Sequence, residues 1–276
     1  MLKLPETKTL LLSLESGVLH VTLNRPERKN ALSPQMIDEL IEVVTLASVE
    51  TELRAIVLRG AGGTFCAGAD IKEMATSHPR DASTAPSSAD PKQLVARGNR
   101  RFGDLVSTVR GATQPVIAVV EGSVMGGGFG LVCAADIALA LRDARFGMPE
   151  TGLGLVPAQI APFVVERIGL TQARRLMLTG ARIDGAEAEK LGIVHEAHTD
   201  VAALDAALAG TLAQIRRCAP RANAATKRLV LATPGRDLRS VLDEAAQVFA
   251  EAATGDEARE GTVAFVEKRL PKWAQE

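Results

Sequence analysis

The first half of the chain alternates short apolar runs of strand length with stretches of helical spacing. Residues 10–14 and 18–23 are apolar-rich and separated by the turn pair Ser16-Gly17, which predicts two strands joined by a tight turn. Ser33 then precedes Pro34, and apolar residues recur at Met36, Ile37, Leu40, Val43 and Val44. That is the signature of a helix capped by Ser33 with Pro34 at its first position. Residues 55–59 form an uninterrupted apolar run, predicting a buried strand that enters Gly60-Ala-Gly-Gly-Thr64. Residues 94–110 have helical spacing and residues 115–120 read as another buried strand. Residues 122–130 form a glycine-dense turn into a helix containing 131–134, and 136–141 are again strand-like. Between these elements, residues 76–91 are rich in Ser, Ala, Pro and Asp, lack periodicity, and read as a long mobile surface loop. From about Val201 onward the spacing is helical throughout, punctuated at Pro220, Pro234-Gly235 and Gly255. The change predicts an α/β core over residues 1–200 followed by a helical region over 201–276.

Composition narrows the classes. With 276 residues, 46% hydrophobic and 24% charged, the chain has the balance of a soluble globular protein. A net charge of −1, no Tyr and one Trp leave little to bind phosphates or stack on bases, so a nucleic-acid partner is not expected. The three cysteines, Cys66, Cys133 and Cys218, are widely spaced with no CxxC, which suggests neither a zinc site nor a disulfide framework. The N-terminal stretch carries Lys3, Glu6 and Lys8 and lacks the apolar run of a signal peptide. No segment approaches a membrane span, so a cytoplasmic location without a membrane partner is expected.

Three segments carry candidate chemistry. In Phe65-Cys-Ala-Gly-Ala-Asp-Ile-Lys72 an apolar stretch meets glycine and then a helix-like segment, a pattern that can leave successive backbone N–H groups pointing at an anion. The segment Val119-Val-Glu-Gly-Ser-Val-Met-Gly-Gly-Gly-Phe-Gly130 follows the same logic, because its glycines let a ligand approach the backbone at a helix N-terminus. Converging on one carbonyl oxygen, such turns would form an oxyanion hole, each donor contributing roughly 2.7–4 kcal/mol in the transition state. A dinucleotide fingerprint fails because Leu131 and Cys133 stand where a third glycine is required, and no Walker lysine or G-x-S-x-G is present. The third segment, Ala144-Arg-Phe-Gly-Met-Pro-Glu150, places one carboxylate in apolar surroundings. It is either a solvated loop residue or an acid/base with a raised pKa. Cys66 reads as a small buried hydrophobe, His195 and His198 as structural, and Asp70 as a helix cap, with Glu73 either its capping-box partner or solvated. Arg28 and Lys29 are either solvated or phosphate contacts.

The order Asn24-Arg-Pro-x-x-x-Asn-Ala-Leu32, Phe65-x-Ala-Gly-Ala-Asp-Ile-Lys72, Gly126-Gly-Gly128 and Phe146-Gly-x-Pro-Glu150 resembles the crotonase (enoyl-CoA hydratase/isomerase) superfamily. Leu178-Thr-Gly180, Ala188-x-x-x-Gly192-Ile-Val194 and Ala264-Phe-Val-Glu-Lys-Arg269 extend the resemblance over essentially the whole chain. It implies an α/β spiral of ββα units with a C-terminal helical trimerisation region, assembled as a homotrimer or a hexamer (a dimer of trimers). It implies oxyanion donors at the amides of Ala69 and Gly127, and Glu150 as the acid/base. Coenzyme A contacts would fall on Ala31, Ala67, Asp70 and Ile71, with Phe265 and Lys268 contributing from the C-terminal region, sometimes of a neighbouring subunit. No separate cofactor is implied, coenzyme A arriving as part of an acyl-CoA substrate.

One departure matters. Hydratases that the chain resembles carry a second catalytic glutamate just after the glycine triplet, and here that position is Gly130. A double-bond shift needs only one base, which favours an isomerase. The neighbourhoods 127–131 and 154–169 are nevertheless similar to a bacterial branch of methylglutaconyl- and isohexenylglutaconyl-CoA hydratases in which glycine is tolerated there. The reading favoured is therefore hydration of a 2-enoyl-CoA thioester, with one-base isomerisation and non-catalytic acyl-CoA binding as the alternatives.

Overall fold

The computed structural model describes residues 3–70 and 90–275. The strands β1 (Leu10–Glu15) and β2 (Val18–Leu23) form an antiparallel hairpin whose turn is Ser16-Gly17, both at positive φ. Ser33 caps α1 (Pro34–Ser48), its hydroxyl accepting the Met36 N–H at 3.2 Å. Then come β3 (Ala55–Gly60), α2 (Pro91–Gly111), β4 (Val116–Val120), β5 (Ser123–Met125), α3 (Gly127–Ala134), β6 (Ile137–Leu141) and β7 (Arg145–Gly147). The remaining elements are α4 (Ala161–Thr179), β8 (Arg182–Asp184), α5 (Gly185–Lys190), β9 (Glu196–His198), α6 (Val201–Arg217), α7 (Pro220–Ala232), α8 (Leu238–Thr254) and α9 (Asp256–Val266).

Two sheets organise these elements. A six-stranded sheet has the order β1-β2-β3-β4-β6-β9, parallel except for the β1–β2 pair, and a smaller one has the order β5-β7-β8. Consecutive strands alternate between them: β4 then β5 then α3, followed by β6 then β7 then α4. Each turn thus contributes one strand to each sheet and one helix, which is the expected spiral of ββα units. Isolated parallel bridges, Cys66 to Val124 and Leu32 to Ala69, carry the small sheet back into the earlier turns.

The large sheet is covered on both faces, and this explains why its strands read as unbroken apolar runs. Ile56, Leu58, Val116, Ala118 and Val120 face the core formed with α1, α2, α3 and α4. On the other face Val57, Ile117, Val119 and Leu139 meet Leu204, Leu208 and Ile215 of α6. The start of continuous helix at Val201 therefore does not coincide with the edge of the core, because α6 completes it. Arg54 ties this region down, donating to the carbonyls of Ile215, Arg216, Cys218 and Trp273. Asp136 accepts the Val116 N–H at 2.7 Å and pairs with Lys227 of α7 at 2.6 Å, a structural role. Beyond that anchor, α7 packs on α8 and α8 on α9.

Two boundaries differ from the pattern-based reading. The helix expected from residue 94 begins at Pro91, because Asp90 caps it by accepting the Lys92 N–H at 3.0 Å. The rest of the expected 76–91 loop lies outside the described residues. The glycines expected in a turn before residue 131 are already helical from Gly127. Low helix propensity is overridden there by close packing, described next.

Candidate active site

The site is assembled from three loops that backbone bonds hold side by side. The first follows β2. Asn30 is fully buried at φ 54°, accepts the Arg25 N–H at 2.9 Å, and donates to the carbonyls of Ala61 (2.9 Å) and Thr64 (2.6 Å). It staples the 24–32 loop to the glycine turn after β3. Alongside, Ala67 N–H donates to the Lys29 carbonyl at 2.9 Å, Leu32 N–H to Gly68 at 2.8 Å, and Asp70 N–H to Leu32 at 3.3 Å. In a parallel bridge the residue between the two bonded groups turns its own amide the other way. That residue is Ala69, an exposed residue whose N–H has no partner among the described residues.

The second loop lies against the first. Cys66 N–H donates to Ser123 and Met125 N–H to Cys66, both at 2.9 Å. Gly68 (φ 93°) and Gly126 (φ 48°) then touch through their backbones: a Cβ on Gly126 would lie 3.9 Å from the Gly68 Cα, and one on Gly68 would lie 3.0 Å from the Met125 carbonyl oxygen. Gly126 is the N-cap of α3, so the Gly127 amide is the first of the helix and has no carbonyl four residues earlier within it. The positive end of the helix dipole adds to that donor. Gly128 completes the fit, since a side chain there would meet Cys66 Cβ at 2.7 Å. Cys66 is fully buried, and burial pushes its thiol up to about 12, as expected of an inert core cysteine.

The third loop carries Glu150. Strand β7 pairs in parallel with β5, Gly126 N–H donates to the Gly147 carbonyl at 2.9 Å, and Phe146 meets Phe129 of α3 edge-to-face with centroids 6.0 Å apart. Such an aromatic pair contributes about 0.5–1.5 kcal/mol beyond its buried area, fixing the strand that delivers Glu150 to the helix that delivers Gly127. Glu150 opens a 3₁₀ turn, Glu150–Leu153, just after Pro149. Its Oε1 lies 2.7 Å from where a Gly126 Cβ would stand, so the residue at 126 must be glycine for the carboxylate to sit there. Oε2 is buried with no hydrogen-bond partner among the described residues. Burial raises its pKa above the ordinary carboxylate value, partly opposed by a hydrogen bond from its own backbone amide.

The structure therefore brings Ala69, Gly127 and Glu150 around the Gly68–Gly126 contact. The arrangement sets two amides that have no carbonyl partner among the described residues, chemistry suited to an oxyanion, near one carboxyl in apolar surroundings, chemistry suited to proton transfer. At Gly130, one helical turn along α3, the space a side chain would fill belongs to Ile160, whose Cβ stands 3.0 Å from the ideal Cβ position. The helix places no second carboxylate there.

The other expected residues divide. Ala31 and Asp70 are linked by Arg25, which donates to the Ala31 carbonyl at 2.7 Å and pairs with Asp70 at 3.1 Å. Asp70, expected as a helix cap, thus has a charged partner across the site, while Glu73 lies outside the described residues. Ala67 spends its N–H on Lys29, and Ile71 lies outside the described residues. Phe265, 85% exposed, and Lys268, at φ 54°, sit at the end of α9, which packs on α8. Asn30, Arg25, Phe102 and Ile160 were not singled out by sequence reasoning. Only Asn30 and Arg25 had a visible signal, as fixed members of the first motif.

Residues 13–276 match the family model described as enoyl-CoA hydratase/isomerase. The fold superposes on that of Pseudomonas aeruginosa AtuE with a TM-score of 0.92 and 53% identity, covering 97% of this chain and 100% of that one. An enoyl-CoA hydratase/isomerase from Marinobacter aquaeolei gives a TM-score of 0.91 at 49% identity, covering 97% and 99% of the two chains. Among curated proteins, the 2,3-dehydroadipyl-CoA hydratase of Escherichia coli is 30% identical over 95% of this chain and 97% of its own length. Matched by the family model over residues 13–276 and superposing on these relatives along nearly its whole length, the chain belongs to the enoyl-CoA hydratase/isomerase family of the crotonase superfamily.

Proposed function

We propose that this enzyme hydrates a 2-enoyl-CoA thioester whose acyl group carries a carboxylate, of the branched glutaconyl type, using Glu150 as the only acid/base. The observation that carries the reading is the placement of the Glu150 carboxylate against Gly126, beside the amides of Ala69 and Gly127. The thioester oxygen accepts from those amides. Glu150 takes a proton from water as the oxygen of that water bonds to C3, and the electrons of the C2=C3 bond move onto the thioester as an enolate. Glu150 then returns the proton to C2, so that one water is added and the carboxylate regenerated. The carboxylated acyl group is supported by the curated relative from E. coli, whose 2,3-dehydroadipyl substrate ends in a carboxylate.

Coenzyme A is bound as part of the substrate by the backbone at Ala31 and Ala67, the segment from Asp70 to Ile71, and Phe265 with Lys268 of a neighbouring copy. No further cofactor is assigned. The exposed apolar residues of the C-terminal helices, among them Leu242, Phe249 and Val266, suit packing in a homotrimer or a dimer of trimers. No helix among the described residues is long and apolar enough to cross a membrane, and a cytoplasmic location fits the reading.

A second reading has its own support. Ile160 fills the space beside Gly130, and a single base suffices to move a proton from C2 to C4 of a 3-enoyl thioester. Mass spectrometry after incubation with crotonyl-CoA, 3-methylglutaconyl-CoA and a 3-enoyl-CoA separates the two. A product heavier by one water, formed fastest from the glutaconyl ester, is expected. Unchanged mass with new conjugated-thioester absorbance from the 3-enoyl ester would make the enzyme an isomerase.

A further inference from the structure

The consecutive residues Gln159 and Ile160 form a wedge at the entry of α4, and each is seated on a glycine of a different helix. Ile160 fills the place of a side chain at Gly130 of α3. Gln159 fills the place of a side chain at Gly103 of α2, where its Cδ stands 3.0 Å from the ideal Cβ position and its Oε1 closer still. Glycine is a poor choice within a helix unless something occupies the space of its missing Cβ. At Gly103, a buried position, the occupant is the Gln159 amide.

That wedge borders the proposed reaction centre. Phe102, the neighbour of Gly103, approaches Gly127, its Cζ 3.0 Å from the ideal Cβ position there. Along α2 the next turn outward presents Asn99, whose Oδ1 accepts the Gln159 Nε2–H at 2.9 Å. The bridge uses one acceptor and one donor hydrogen. Among the described residues, Asn99 Nδ2 keeps both of its hydrogens and Gln159 Nε2 keeps its second. Arg100, its Nη1 3.1 Å from the same Gly103 position, pairs with Asp104 and so leaves the patch without net charge. The amide hydrogens of Asn99 and Gln159, beside the half-buried Phe102, are of the kind that suits an acceptor-only anion on an otherwise apolar chain.

We propose that Asn99 and Gln159 form the subsite that receives the carboxylate of a short dicarboxylic acyl group, and so set the acyl preference. This rests on the proposed function for the location of the thioester. The mechanism itself does not use either amide, so they are specificity residues and not catalytic ones.

The test is calorimetric binding of unreactive saturated esters: glutaryl- and adipyl-CoA against butyryl- and hexanoyl-CoA. Wild type is expected to bind a dicarboxylic ester roughly tenfold more tightly than its neutral partner, the scale of a partly exposed charge-assisted hydrogen bond. Gln159→Leu removes the amide. Gly103→Ala removes its seat, displacing the flexible end of Gln159 while placing a better helix former in α2. Both variants are expected to lose the preference and to bind the neutral esters within about twofold of wild type. A wild type without the preference, or a preference that survives in both folded variants, overturns the proposal. Because binding is read without turnover, an enzyme that isomerises instead of hydrating leaves this test intact. Hydration without the preference would sink the subsite and leave the hydratase reading standing.

Discussion

Gly126 and Gly130 lie one turn apart at the start of α3, and their missing side chains are replaced by opposite kinds of chemistry. Beside Gly126 stands the carboxylate of Glu150; beside Gly130 stands the aliphatic side chain of Ile160. The contrast locates the departure of this chain from a two-carboxylate centre. The second position is not an empty hole awaiting water but a packed contact belonging to α4. Under the proposed function, proton transfer beside this helix falls to Glu150.

The contrast is broken most severely at Gly126. Gly126→Ala adds a Cβ 2.7 Å from Glu150 Oε1 and forces alanine to φ 48° and ψ −113°. Displacing a catalytic group by this much is expected to lower kcat on the order of a hundredfold. The backbone strain lowers stability by about 1–3 kcal/mol, read from urea unfolding. An alanine enzyme with unchanged kcat would mean that the Glu150 position does not matter.

At the other glycine the expected effect is on stability. Gly130→Glu overpacks the Ile160 contact and costs about 1–3 kcal/mol. Adding Ile160→Ala opens the space, so the double variant should recover part of that loss relative to the single one. Its ratio of hydration to isomerisation should rise above that of wild type, measured by product mass on matched 2-enoyl and 3-enoyl esters. A double variant no more stable than Gly130→Glu would show that Ile160 does not fill the site.

The smallest effect is electrostatic. Burial holds the Glu150 pKa above its unfolded value, so its stabilising share is present below the ordinary carboxylate range and disappears as pH rises through the raised folded value. Gln at position 150 cannot ionise. The melting temperature of Glu150→Gln minus that of wild type should therefore increase as pH is raised through that window. A difference that is flat with pH would mean that the carboxylate is not desolvated in the folded protein.

Much of this was legible in the sequence because it rested on local rules. Ser33-Pro34 announced the start of α1, the apolar runs announced strands covered on both faces, and the glycine segments marked the loops that carry Ala69 and Gly127. Gly130 was visible as an exception, but its meaning was not, because the residue that fills its space lies thirty positions downstream in another element. The same holds for Gly103 with Gln159 and for the Arg25–Asp70 pair. Contacts between helix and loop depend on the winding of the spiral, which no local pattern encodes. The role of α6 escaped for a related reason: its apolar face resembles those of the helices after it, and only the sheet shows that it belongs to the core.

The central claim is that one carboxylate, Glu150, moves every proton. Hydration of 3-methylglutaconyl-CoA by wild type and by Glu150→Gln, followed as product mass against time, tests it most directly. The account predicts a fall of roughly 10²–10⁴-fold with the fold intact. Turnover by Glu150→Gln at the wild-type rate would contradict it.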